Sequence, residues 1–169
     1  MKIKIVGQCE GGNAALWFNL FNNHLSGYKE IEKLLYICRT GCKLKSNFPI
    51  IKLYGKSNAI YKRPWSSFVY RFGLEYFVKK YSKKYPYDII HLQGNYSPTY
   101  NRKIIDNTKE KVVLNIFGSD FYQNWFRENQ STKYRDDFIY VCDQASVITC
   151  NWVTTMNDFL AEFPTYVNK

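Results

Sequence analysis

An α/β fold built on a mostly parallel sheet is predicted by three observations. Apolar runs without polar alternation recur along the 169 residues, among them KIKIVG, YDIIHL and VVLNI, and such runs suit strands buried on both faces. Several of them stop abruptly at a glycine turn. Between the runs lie segments with apolar residues at helical spacing, so strands and helices alternate as they do in parallel sheets.

The first run, residues 2–7, ends at Gly7, and the loop QCEGGN precedes a helical pattern, AALWFNLFNNHL. Asn13 is placed to cap that helix, leaving backbone N–H groups near Gly11 and Gly12 available to an anion. The same glycines also serve a plain tight turn. Their spacing, G-x-x-x-G-G, is not the dinucleotide fingerprint G-x-G-x-x-G. KLLYICR, residues 33–39, is a second buried strand, and FPIIKLYG, residues 48–55, a third with Pro49 at its start, as suits an edge.

A long helix is expected from Pro64, its apolar residues Trp65, Phe68, Val69, Phe72 and Tyr76 forming one stripe and Tyr70, Leu74, Phe77, Val78 and Tyr81 a second. Lys79, Lys80, Lys83 and Lys84 crowd its end, where they complement the helix dipole or meet an anionic membrane face. YDIIHLQGNYSP gives a fourth strand, residues 88–92, with Gln93, Gly94 and Asn95 in the turn and Ser97-Pro98 opening a helix that buries Tyr100, Ile104, Ile105 and Thr108. His91 falls inside that strand, where a hydrogen-bonded core residue is expected.

The central stretch is KVVLNIFGSDF, residues 111–121, in which a buried strand carrying Val112, Val113, Leu114 and Ile116 is cut off by Gly118 and followed by Ser119 and Asp120. In open parallel sheets, ligands gather outside the carboxyl ends of strands. Phe117, Gly118, Ser119 and Asp120 are therefore expected at a site, with Asp120 on its rim. Gly-Ser-Asp also makes an ordinary helix cap before FYQNWF. TKYRDDFIYVCDQA then sets Tyr134, Phe138, Val141, Cys142 and Ala145 on one helix face. SVITC, residues 146–150, is a sixth strand, and Trp152, Met156, Phe159, Leu160 and Phe163 form the apolar register of a last helix stopped by Pro164. The whole reads as one domain over residues 1–169, a Rossmann-like three-layer α/β/α sandwich with six strands in the order 3-2-1-4-5-6.

Bulk composition narrows function. A formal charge of +10 and a pI near 9.3 predict attraction to something anionic. The excess is local: residues 56–84 hold eight Lys or Arg against Glu75 alone. Five cysteines, odd in number and set in apolar runs, argue against a secreted disulfide framework and for the cytoplasm. Cys38 and Cys42 have no second Cys or His pair to complete a zinc site, so no metal is expected. No apolar stretch reaches the roughly 20 residues that span a bilayer, and no export signal opens the chain.

The succession KIKIVG-QCEGGN, YDIIHLQGNYSP, VVLNIFGSDFY and QASVITCNWVTTMNDF resembles the N-terminal half of group 1, family 4 glycosyltransferases, enzymes with two Rossmann-like domains in the GT-B arrangement. The resemblance covers essentially the whole chain. It implies that this half binds a glycan or lipid-linked acceptor, and that an absent C-terminal half holds most of a nucleotide-sugar donor, with no cofactor. It carries donor-diphosphate contact onto Gly11, Gly12 and Asn13, and acceptor contact onto Gln93, Asn95, Phe117 and Gly118. This chain has Gln93 and Phe117 where many relatives have histidine. Phe117 neither donates a hydrogen bond nor holds charge, so Ser119 and Asp120 are the catalytic candidates.

The expected function is therefore transfer of a sugar in cell-surface polysaccharide assembly, at the inner face of a membrane, by the complete protein. Alone, residues 1–169 are expected to be inactive. The competing expectation is a stand-alone, non-catalytic Rossmann-like module for a nucleotide or nucleic acid, although no nucleic-acid motif accompanies the basic segment.

Overall fold

The computed structural model describes residues 1–7, 23–24, 27–31, 33–38, 50–52, 80, 87–95 and 97–169. The first glycine turn with Gly11, Gly12 and Asn13, the helix expected from Pro64, and all of the basic segment but Lys80 lie outside the described residues. The chain divides into two compact units, residues 1–90 and 91–169.

In the first unit three strands, β1 (Lys2–Gly7), β2 (Lys33–Cys38) and β3 (Ile50–Lys52), pair in parallel in the order β3-β2-β1. Lys2 stands opposite Lys33 and Gly7 opposite Cys38. The third strand is three residues long as described, Ile50–Lys52. A fourth strand, β4 (Ile89–Gln93), begins beside the start of β1: Asp88 N donates to Lys2 O at 2.9 Å, and Lys2 N to Asp88 Oδ2 at 2.7 Å.

In the second unit β5 (Lys111–Ile116) and β6 (Val147–Cys150) pair in parallel, with Asn115 opposite Thr149. The run read from sequence as buried on both faces is largely so: Val112, Leu114, Asn115 and Ile116 are buried and Val113 is half-buried. Three helices accompany these strands, α1 (Pro98–Asp106), α2 (Thr132–Gln144) and α3 (Val153–Glu162). Pro98 occupies the first turn of α1, where its missing N–H costs nothing. Ser131 caps α2 by accepting from Tyr134 N at 3.2 Å. Pro164 follows α3 and opens a single 3-10 turn, Pro164–Tyr166.

The core of this unit is aromatic. Phe121 sits at the centre, its ring 5.1 Å from Phe126 and 5.6 Å from Phe159, both edge-on, the arrangement that ring quadrupoles favour. Trp125 packs edge-on to Phe163 at 4.9 Å and donates its indole N–H to Glu162 Oε1 at 2.9 Å, so its one polar atom is satisfied.

Two departures from the sequence reading matter. The face of α2 includes Asp137, a buried carboxylate that periodicity hides among charged neighbours. It accepts from Arg102 and Lys133 at 2.9 Å each and from Thr99 Oγ1 at 2.6 Å, clasping α1 to α2. Burial pushes this carboxyl up, but those three donors outweigh it and hold it below the usual carboxylate range. On α3, Phe159 is buried as predicted, whereas Trp152 is 65% exposed and Met156 42%. Thr155 takes the buried place instead, against the turn at Gly118.

Candidate functional site

The turns leaving β4 and β5 are built into each other. At the end of β4 the chain passes through Gly94 at φ 88, a left-handed conformation that strains any residue with a Cβ. Gly94 N donates to Asn115 O at 2.8 Å, tying the turn to β5. Asn101 on α1 reaches back with Nδ2 to Gly94 O and Asn95 Oδ1, both at 2.9 Å. Asn95 is fully buried and engaged throughout: its N–H donates to Asp120 Oδ2 at 2.6 Å and its Nδ2 to Phe138 O at 3.4 Å, while its carbonyl accepts from Tyr134 OH at 3.4 Å.

Past β5, Phe117 is buried, Gly118 and Ser119 are half-buried, and a wide-turned π-helix runs over Asp120–Trp125. Such turns recur at functional sites. The expected place of Asp120 at the rim is corrected here, for its side chain lies beneath the turn at 0% exposure. The cause is its partner: the Asn95 N–H draws the carboxylate inward, and Asp120 N itself bonds Phe117 O at 3.1 Å. Oδ1 finds no hydrogen-bond partner of good geometry among the described residues. Burial pushes the carboxyl up to about 7, while backbone N–H groups at Asn95, Phe117, Asp120 and Phe121 pull the other way. A nearly neutral-pH carboxyl is thus held behind the turn.

Gln93 is also buried, at the last position of β4. Of the residues expected at an acceptor, then, Gln93, Asn95 and Phe117 lie inside, and Gly118 with Ser119 forms the part that reaches the surface. His91 is half-buried in β4, and desolvation lowers it to about 4, so it is neutral at pH 7.

Sequence reasoning missed the surface beside this turn. A Cβ on Gly118 would stand 3.4 Å from the Tyr122 ring and 3.5 Å from Thr155 Oγ1. Tyr122 OH in turn donates to Asp158 Oδ2 at 2.5 Å, which raises its own pKa. One strand over, Asn115 Nδ2 donates to Asn151 Oδ1 at 2.8 Å and Thr149 Oγ1 to Asn115 Oδ1 at 2.8 Å, so the loop after β6 is fixed to β5. The spacing of Thr155 and Asp158 on α3 was the only signal for this face, and nothing in it announced Tyr122 as their partner.

No protein-family model matches the chain, and no curated protein does. Solved structures do match. A sucrose-phosphate synthase from Thermosynechococcus elongatus superposes on 87% of the chain with a TM-score of 0.59 at 14% identity. The lipopolysaccharide outer core galactosyltransferase WaaB aligns with 68% of the chain at 18% identity and a TM-score of 0.45. The chain spans 41% of the length of the synthase and 32% of that of the galactosyltransferase. The likeness to the synthase shows the fold of this chain to be α/β and Rossmann-like, as the resemblance read from its motifs implies.

Proposed function

We propose that residues 1–169 are the acceptor-binding half of a glycosyltransferase that moves a sugar from a nucleotide-sugar to a glycan or lipid-linked acceptor. The observation that carries the reading is the fold likeness to a sugar-transferring enzyme over 87% of the chain, joined to polar turns at the carboxyl ends of β4 and β5. In this reading the strands make one sheet in the order 3-2-1-4-5-6, within one domain. Gly11, Gly12 and Asn13 face the donor diphosphate, and a second half outside these residues holds the rest of the donor.

Within the site, Ser119 and the Gly118 backbone meet the acceptor. Asp120 works from behind as a positioning residue, with Asn95 and Gln93 beneath the same surface. It holds the Gly94–Asn95 turn in register with the Phe117–Ser119 turn, and its buried carboxyl sets the local field. Residues 56–84 bring the protein to the anionic inner face of a membrane. No helix among the described residues is long and apolar enough to cross one.

Calorimetry of residues 1–169 with common nucleotide-sugars tests the division of labour. Weak or undetectable binding is expected. Micromolar affinity, about −8 kcal/mol, would mean that this chain alone holds a complete nucleotide site and that the acceptor-half reading is mistaken.

A further inference from the structure

Asn115 is a polar residue in a place that packing alone would fill with Val or Ile. It lies one position before the end of β5, between Leu114 and Ile116, and is 3% exposed. Burying an amide side chain is costly unless its oxygen and nitrogen are bonded. Here both are. Thr149 Oγ1 on β6 donates to Asn115 Oδ1 at 2.8 Å, and Asn115 Nδ2 donates to Asn151 Oδ1 at 2.8 Å. The Asn115 carbonyl also accepts from Gly94 N at 2.8 Å. One residue thus ties the turn after β4 and the loop after β6 to the end of β5.

The relay has a direction. Asn151 Oδ1 is taken as an acceptor, so the group left over is its amide nitrogen, which has no partner among the described residues and is not buried. The last paired residues of the two strands are Ile116 and Cys150. Asn151 therefore follows β6 where Phe117 and Gly118 follow β5, on strands about 4.8 Å apart. A fixed N–H donor stands beside the turn that the proposed acceptor meets.

We propose that Asn151 donates a hydrogen bond from Nδ2 to an oxygen of a neutral saccharide, and that Asn115 and Thr149 are the positioning residues that aim it. The surrounding charge selects the ligand class. Residues 93–101, 112–126 and 145–163, which leave β4, β5 and β6, contain no Lys, Arg or His, and their only charged residues are Asp120, Asp158 and Glu162. These segments offer a phosphate no cation, whereas amide and hydroxyl groups suit the oxygens of a sugar. The inference rests on the transferase reading for the role of that sugar as acceptor, and its test separates the two.

The test is an NMR titration of the full chain with methyl glucoside, methyl galactoside, N-acetylglucosamine and inorganic phosphate, following the side-chain NH2 signals of Asn151 and Asn115. The expected result is a saturable shift of the Asn151 pair at millimolar concentration of at least one sugar, and none with phosphate. Asn151→Asp keeps an acceptor for Asn115 Nδ2 but has no N–H to offer, so the fold is retained and sugar affinity should fall at least tenfold. Thr149→Val, which removes the hydroxyl that orients Asn115, should weaken the sugar several-fold, and Thr149→Ser should restore it. No Asn151 shift with any sugar, a response to phosphate alone, or wild-type affinity in Asn151→Asp overturns the proposal. In the complete protein, donor turnover with an acceptor KM unchanged by Asn151→Asp removes the contact and leaves the transferase standing; sugar binding at Asn151 without any donor turnover does the reverse.

Discussion

The backbone N–H of Asn95 donates to Asp120 Oδ2 at 2.6 Å, joining the turn after β4 to the turn after β5 across 25 residues of chain. Both residues are fully buried, so the bond is made without competition from water. It fixes the relative height of the two turns on which the proposed acceptor surface rests.

That bond makes the charge state of Asp120 a stability variable. Its carboxyl rises from 3.8 to about 7 in the fold, so its favourable contribution is fully present below about pH 4 and is lost as pH rises through 7. His91 acts oppositely: lowered to about 4, it favours the fold above about pH 6.5 and loses that contribution as pH falls through 4. The two slopes offset each other in the wild type, so the readout is a difference. Stability of Asp120→Asn minus wild type, from urea unfolding, should increase by about 2 to 4 kcal/mol between pH 4 and pH 8. Asp120→Ala strands the Asn95 N–H and should cost about 1–3 kcal/mol in addition. A pH-independent difference for Asp120→Asn contradicts the assignment.

Two glycines should respond differently to alanine. Gly94 holds φ 88, and Gly94→Ala is expected to destabilise by about 1–2 kcal/mol because Cβ meets the following carbonyl. At Gly118 the new methyl makes ordinary contacts of 3.4 Å and 3.5 Å, so Gly118→Ala should stay within about 0.5 kcal/mol of wild type. Thermal unfolding of both variants decides it; equal losses would mean that the turn after β4 is not conformationally special.

The proposed membrane attachment rests on the excess positive charge of residues 56–84 and the interleaved Trp65, Phe68, Tyr70 and Phe77. Reversing Lys79, Lys80, Lys83 and Lys84 to glutamate should abolish sedimentation with anionic vesicles, since each cation near such a surface contributes about 1 kcal/mol. Sedimentation that survives the reversal, or is absent from the wild type, assigns the lysines to the helix end instead.

Much of the second unit was legible because its signals are local. The non-alternating run of β5 could only be a buried strand, and Phe138, Val141 and Cys142 marked the inner face of α2. What the sequence hid depends on partners far along the chain. Asp137 reads as a surface charge until Arg102 and Thr99 arrive from α1, and Asp120 reads as a rim residue until Asn95 N–H draws it in. Trp152 and Met156 share the register of Phe159, but register gives a face and not what covers it.

Release of nucleoside diphosphate from a panel of nucleotide-sugars, in the presence of glycan and lipid-linked acceptors, tests the central claim most directly. It should be measured for the complete protein that contains this chain and for residues 1–169 alone. The account predicts acceptor-dependent release from at least one donor by the complete protein, reduced at least tenfold by Asp120→Ala but only a few-fold by Asp120→Asn, and none by residues 1–169. Release by the short chain alone, or a complete protein that turns over no donor while residues 1–169 bind free nucleotide or nucleic acid at micromolar concentration, would contradict it.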